Sequence, residues 1–277
     1  MSNPTGTSLY MGRVALTVRD LDKVGRYYEE VIGLHPMGRD GETARYGAGS
    51  EVLLELRQDR AARQRSAKEA GLFHTAFLLP SRADLGAWVK HAIDRQAPVT
   101  GLADHLVSEA IYLNDPEGNG IEIYIDRPRD QWSWKGGLVE MSSDPLDVEG
   151  LVKSAGSAKW QGAPEGSVIG HVHLQVGSVA EAETFYTGDL GLAVTCHYPG
   201  AVFMAADGYH HHIAANVWNS RTAAPRDMPS TGLSDMEIHV DAARAVELRR
   251  AAGLDVESPL GFVLRDPWNT PLTIRAV

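Results

Sequence analysis

Histidine and one carboxylate supply the chemistry in this chain of 277 residues, and most of the histidines of interest sit in short apolar runs. His74 lies in GLFHTAFLLP, His171 and His173 in GHVHLQV, and His210, His211 and His212 in GYHHHIAANVW. Imidazole near neutral pH can bind a transition metal or exchange a proton. Glu122 lies between Ile121 and Ile123 in DPEGNGIEIYID. A charged residue on the inward face of a strand is costly unless it is paired or acts as a ligand. Taken singly, each also reads as an ordinary strand residue satisfied by hydrogen bonding. Strand alternation places His210, His212 and Ala214 on one face and His211 on the other, and it places His171 and His173 together.

The elements that must position these residues come from internal repetition. MGRVALTVRDLDKVGRYYEEVIGL, from Met11, aligns without a gap with IGHVHLQVGSVAEAETFYTGDLGL, from Ile169, matching Val14 to Val172, Tyr28 to Tyr186 and Gly33 to Gly191. Each copy starts with apolar residues at period two, changes to helical spacing and stops at glycine, which predicts a strand feeding a helix. Short β-rich runs broken by glycine follow. A second pair of units starts at GLFHTAFLLP and GLSDMEIHVD and closes with DPEGNGIEIYID and DPWNTPLTIRAV, where Asp-Pro opens a turn before a last strand. The chain therefore divides into four modules, at roughly 8–58, 70–127, 167–220 and 231–277. Residues 8–127 hold modules one and two, 128–166 form a linker, and 167–277 hold modules three and four. The linker, with three tryptophans, is expected to strap the halves together, the alternative being a cover over a site.

Bulk properties narrow the function. The formal charge of −10 repels a phosphate backbone, and no basic stripe with interleaved aromatics occurs, which argues against nucleic acid. A single cysteine, Cys196, cannot form an internal disulfide. With no leader-like start and no long apolar run, a cytoplasmic protein that does not engage membranes is expected.

The repeats, together with GHVHLQV, FYTGDLGL, GYHHHIAANVW, FHTAFLLP and DHLVSEAIYLNDPEGNGIEIYIDRP, make the sequence resemble the vicinal-oxygen-chelate superfamily. That superfamily includes glyoxalase I, fosfomycin and bleomycin resistance proteins and type I extradiol dioxygenases. The likeness is greatest to two-domain proteins of the catechol 2,3-dioxygenase type. It implies an α+β fold of four βαβββ modules forming two barrels. It also implies that a metal ligand opens the first strand of a module and a carboxylate sits on a last strand. Those positions hold Arg13, His74, His171 and Asp235 on first strands, and Glu122 and Thr273 on last strands. Only modules two and three supply ligands that suit iron. His74, His171 and Glu122 form the two-histidine, one-carboxylate set that leaves open positions on iron(II), a set that manganese(II) also accepts. They can meet only if modules two and three share a barrel, within one chain or by exchange between chains. Modules one and four would then form a barrel with a degenerate, metal-free site.

The resemblance further implies acid–base work for His212 and substrate hydrogen bonding by Tyr112, ten residues before Glu122. Asp104 and His105 are weaker candidates for groups that orient the site, and His173 is the rival ligand to His171. The second carboxylate of glyoxalase-type lyases falls at Ala214, which cannot ligate. The implied activity is ring opening of an aromatic diol by O2 next to the diol, giving a muconic semialdehyde, in a homo-oligomer. A drug- or aromatic-binding resistance-type protein without catalysis and a metal-dependent glyoxalase-like lyase or isomerase are the alternatives.

Overall fold

The computed structural model describes residues 5–255 and 261–277. Module one contains β1 (Leu9–Val18), α1 (Leu21–Tyr27), which continues as a π-helical turn over Tyr28–Ile32, then β2 (His35–Asp40), β3 (Thr43–Ala48) and β4 (Glu51–Gln58). Module two contains β5 (Gly71–Leu78), α2 (Arg82–Asp94), β6 (Gly101–Asp104), β7 (Ser108–Asn114) and β8 (Gly120–Asp126). The connecting segment carries a 3-10 turn over Arg129–Gln131, two short strands, β9 (Trp134–Lys135) and β10 (Leu138–Val139), and an α-helix, α3 (Val148–Ser154). Module three contains β11 (Val168–Gln175), α4 (Val179–Gly188), β12 (Ala193–Tyr198), β13 (Ala201–Ala205) and β14 (Ile213–Asn216). In module four the described residues form β15 (Gly232–Val240), α5 (Ala242–Ala251), β16 (Phe262–Arg265) and β17 (Pro271–Ala276).

The repetition extends to the chemistry of the helix starts. Asp20, Ser81, Ser178 and Asp241 each precede a helix, and each side chain accepts the backbone N–H three residues on, from Lys23, Asp84, Glu181 and Arg244. Such caps satisfy one of the N–H groups that a first helical turn leaves free. The two Asp-Pro turns are also built alike. One Asp115 carboxylate oxygen accepts from the N–H of Glu117 and Asn119, and one oxygen of Asp266 accepts from Trp268 and Thr270. The repeat-matched tyrosines reach the same aspartates. Tyr186 donates to Asp266 at 3.1 Å and Tyr28 to Asp115 at 3.5 Å, tying each helix to the turn of the following module.

Among the described residues the four modules form two large sheets, as the four-module reading of the fold requires. An eight-stranded sheet runs in the order β12-β13-β14-β11-β5-β8-β7-β6, and a seven-stranded sheet runs β16-β17-β15-β1-β4-β3-β2. The first joins strands of modules three and two through the antiparallel β11–β5 pair, and the second joins modules four and one through β15–β1. One hydrophobic cluster contains residues of both sheets and of the helices over them, among them Leu16, Leu54, Ile121, Val172, Trp88 and Tyr186. No helix of the described residues is long and apolar enough to cross a membrane.

Candidate metal centre

Three adjacent strands bring the candidate ligands together. Across the antiparallel β11–β5 pair His171 stands opposite Ala76, and across the parallel β5–β8 pair Ala76 stands beside Glu122. His171 and Glu122 thus flank the small Ala76 side chain on one face of the sheet. His74 is two residues back along β5 and shares that face. The neighbours that point the other way, Ile121, Ile123 and Val172, enter the core, so alternation alone sends the apolar residues one way and the candidate ligands the other.

The geometry within the trio suits a cation. Ligand atoms of His74, Glu122 and His171 all lie within 4.8 Å of one another. His171 Nε2 is 3.2 Å and His74 Nε2 2.9 Å from the same oxygen, Glu122 Oε2. All three residues are buried. His74 Nε2 lies off the direction a hydrogen bond requires and has no hydrogen-bond partner. Burial raises the Glu122 carboxyl, but the two imidazoles outweigh it and hold the group well below the usual carboxylate range. Burial also lowers His171 to about 4. The resulting state at neutral pH, an ionised carboxylate facing a neutral imidazole, is the one a metal ion needs.

His173 faces His74 across β11 and β5, but its Nε2 accepts from the Asn216 side-chain amide at 2.9 Å, and its ring lies among Phe73, Phe203 and Trp218. Tyr112 stands opposite Glu122 on β7. Its hydroxyl is 2.6 Å from His105 Nε2, and His105 Nδ1 is 2.6 Å from the Ser142 carbonyl. A carbonyl only accepts, so His105 carries a proton on Nδ1, and its Nε2 accepts a hydrogen bond from the Tyr112 hydroxyl. Burial, then Glu122, pushes Tyr112 well above its usual range, so it keeps its proton at neutral pH. Asp104 faces away into an ion pair with Arg127 at 2.6 Å. Ser142 belongs to the connecting segment, which pairs with β6 through Asp104 and Asp144 and places Met141, Ser142 and Ser143 on the cavity wall. That segment both straps the modules and covers the site.

The histidine triplet departs from the expected alternation. β14 begins only at Ile213; Asp207 and Gly208 take positive φ values of 51° and 67°, and the chain bends at His210 and His212. Because of those bends the strand period cannot be carried back from Ala214. His212 therefore lies outside the cavity. Its Nδ1 accepts from the Ala206 N–H at 3.2 Å, and its Nε2 is 3.3 Å from the Thr7 hydroxyl. His211 lines the cavity instead, its ring centroid 4.0 Å from that of His171. The Asp-Gly pair in AADGYHHH is the sequence signal for this turn. Ala214 is buried opposite His173 and Phe203, and its methyl group offers no fourth ligand.

The cavity over the trio has a volume of about 470 Å³. Phe73, Leu113, Met141, Tyr198, Phe203 and Trp218 give it apolar and aromatic walls, and among the described residues neither lysine nor arginine lines it. The other sheet differs at the corresponding positions. Arg13 donates to Glu55 and lies 3.4 Å from Glu237, while Thr273 donates to Asp235 at 2.8 Å. Ion pairs and a hydroxyl–carboxylate hydrogen bond there hold the positions that the candidate ligands hold in the eight-stranded sheet.

A family model described as the Glyoxalase/Bleomycin resistance protein/Dioxygenase superfamily matches residues 10–123 and 168–266. The chain belongs to that superfamily. Within the glyoxalase/bleomycin resistance protein/dioxygenase superfamily, it is 37% identical over 270 residues to the Catechol-2,3-dioxygenase of Bacillus subtilis (strain 168), covering 93% of this chain and 94% of the relative. The solved structure of glyoxalase I from Zea mays superposes with a TM-score of 0.55 at 15% identity, covering 99% of this chain and 94% of the other. The cppA protein from Streptococcus pneumoniae TIGR4 superposes at 0.61 with 11% identity, covering 97% and 99%. At those identities the structures speak for the superfamily fold alone.

Proposed function

We propose that the chain is an iron(II)-dependent extradiol dioxygenase that opens the ring of an uncharged catechol. The observation that carries this reading is the convergence of two imidazoles and one carboxylate on a single point in the wall of an aromatic-lined cavity. The relative's name, Catechol-2,3-dioxygenase, supports it. His74, His171 and Glu122 would hold the metal. Iron(II) in such a set keeps positions open for both a vicinal diol and dioxygen and supplies the redox chemistry that couples them.

The remaining work belongs to the chain. The aromatic walls bury the faces of a planar ring, and a cavity without lysine or arginine gives a substituent carboxylate no counter-ion. His211 Nε2 is buried without a partner and can take a proton from the diol and return it later in the reaction. Tyr112, its own proton engaged by His105, offers hydroxyl lone pairs to a substrate hydroxyl. The lack of a donor at Ala214 weighs against a lyase that needs a second carboxylate.

The test is turnover by iron(II)-loaded protein, held anaerobically until the assay begins, with catechol, an alkylcatechol and hydroquinone as substrates. Oxygen uptake with formation of a yellow ring-opened semialdehyde is expected. No oxygen uptake with any of the three would overturn the reading.

A further inference from the structure

Behind His211 a chain of hydrogen bonds leads away from the cavity. His211 Nδ1 and His210 Nδ1 lie 2.7 Å apart, and His210 Nε2 is 2.8 Å from Asp126 Oδ1. Asp126 Oδ2 accepts from the Tyr209 hydroxyl at 2.9 Å, and the Tyr209 and Tyr124 hydroxyls are 3.0 Å apart. Gly170, just before His171, makes room for this arrangement, because a Cβ there would stand 1.7 Å from the Tyr124 hydroxyl oxygen. The His210 ring is packed against Tyr209, centroids 4.1 Å apart and 31° between planes, and against Trp132 at 5.2 Å.

The protons of this chain can be assigned from the donor and acceptor capacities of its members. A carboxylate only accepts, so His210 carries a proton on Nε2. With that single proton on His210, its Nδ1 presents a lone pair, and the 2.7 Å contact is completed by a proton on the partner nitrogen. His211 therefore carries its proton on Nδ1, and its buried Nε2, which has no hydrogen-bond partner, keeps a lone pair in a residue that lines the cavity.

We propose that Asp126 and His210 are positioning residues that lock His211, a residue of the cavity wall, in the Nδ1–H tautomer and so leave its Nε2 free to accept a proton. This rests on the reading of the site as a dioxygenase only for its catalytic consequence; the tautomer rests on the hydrogen bonds with a single proton on His210. The role is distinct from ligation, because neither residue is among the trio that faces the metal position. It also explains why three histidines stand in a row: His211 faces the cavity and His210 orients it, while His212 anchors the turn through Ala206.

The experiment is nitrogen NMR of the metal-free full-length chain carrying 15N-labelled histidine, with the His211 signals identified from their loss in His211→Gln. The wild type is expected to show His211 protonated on Nδ1 and bare on Nε2. In Asp126→Asn the side-chain amide can donate to His210 Nε2, and the His211 tautomer should reverse; in His210→Phe it should lose its preference. Asp126→Glu should retain the wild-type pattern, which separates a lost tautomer from a disturbed fold. In the iron-loaded enzyme, Asp126→Asn should lower kcat by roughly 100- to 10,000-fold, as a wrong tautomer does in other acid–base sites, with bound iron and the KM for catechol unchanged. A wild-type His211 protonated on Nε2, or an Asp126→Asn variant with an unaltered tautomer, overturns the proposal. A correct tautomer in a wild type inert toward every diol overturns the dioxygenase reading alone.

Discussion

His173 stands directly opposite His74 across the β11–β5 seam, yet the Asn216 amide occupies the His173 Nε2 while His74 Nε2 has no hydrogen-bond partner. Two histidines at one level of the sheet are thus chemically unequal. The difference is made by β14, which brings Asn216 against one of them and leaves the other to face Glu122.

Metal binding should follow that inequality. His74→Ala is expected to lower iron(II) affinity by more than the about 10- to 100-fold that loss of a partner behind a ligand costs, whereas His173→Asn should keep bound iron near the wild-type level. Metal content after gel filtration reads both. Equal loss in the two variants would remove the distinction between ligand and neighbour.

Acid stability has a defined direction at His212. Burial, followed by His210, lowers this residue from 6.5 to about 3. Between those values the unfolded chain binds a proton that the folded chain does not, so stability falls as pH drops from 6.5 toward 3, by up to about 1.4 kcal/mol per pH unit. Above pH 6.5 this group contributes no slope. His212→Asn, whose side-chain oxygen can still accept the Ala206 N–H, should flatten the dependence by one group's share. Urea midpoints of metal-free protein between pH 5 and 7.5 measure it, and an unchanged slope counts against a buried neutral His212.

The second sheet should answer to charge rather than to metal. Arg13 is shared between Glu55 and Glu237, but Glu55 keeps Arg45 and Arg57, and Glu237 keeps Arg275 and His239. Arg13→Met is therefore expected to cost about 1–3 kcal/mol, the range for a buried acceptor that loses one partner, with iron binding untouched. Denaturant unfolding and metal analysis on the same sample test the pair of outcomes.

Substrate charge should matter more than substrate size. With neither lysine nor arginine on the cavity wall, a ring carboxylate enters unpaired. A penalty of about 3 kcal/mol corresponds to roughly 100-fold in kcat/KM. Comparison of 4-methylcatechol with 3,4-dihydroxybenzoate on the iron-loaded enzyme checks this; equal efficiencies would require a cationic contact that the cavity does not display.

Much of this is legible without the fold because it is local. Period-two runs, caps such as Asp20 and Ser178, and Asp-Pro turns at Asp115 and Asp266 depend on residues a few positions apart, and their repetition marks the modules. Glu122 stands out as a carboxylate between two isoleucines. The expected strand alternation does not bring His212 to the cavity wall, because it extends a strand period through Asp207–Gly208, where the chain turns. The connecting segment's contact with His105 through Ser142 has no local signature.

The sequence by itself determined the modules and which side chains leave each strand on the polar face, since both follow from short-range periodicity and hydrogen bonding. Only the tertiary structure decided which strands become neighbours, which histidine is capped by Asn216 and which is left to meet Glu122, and how His210 and Asp126 stand behind His211. Those outcomes depend on side chains far apart in the chain becoming buried together, where each polar atom must find a partner or be left for a ligand.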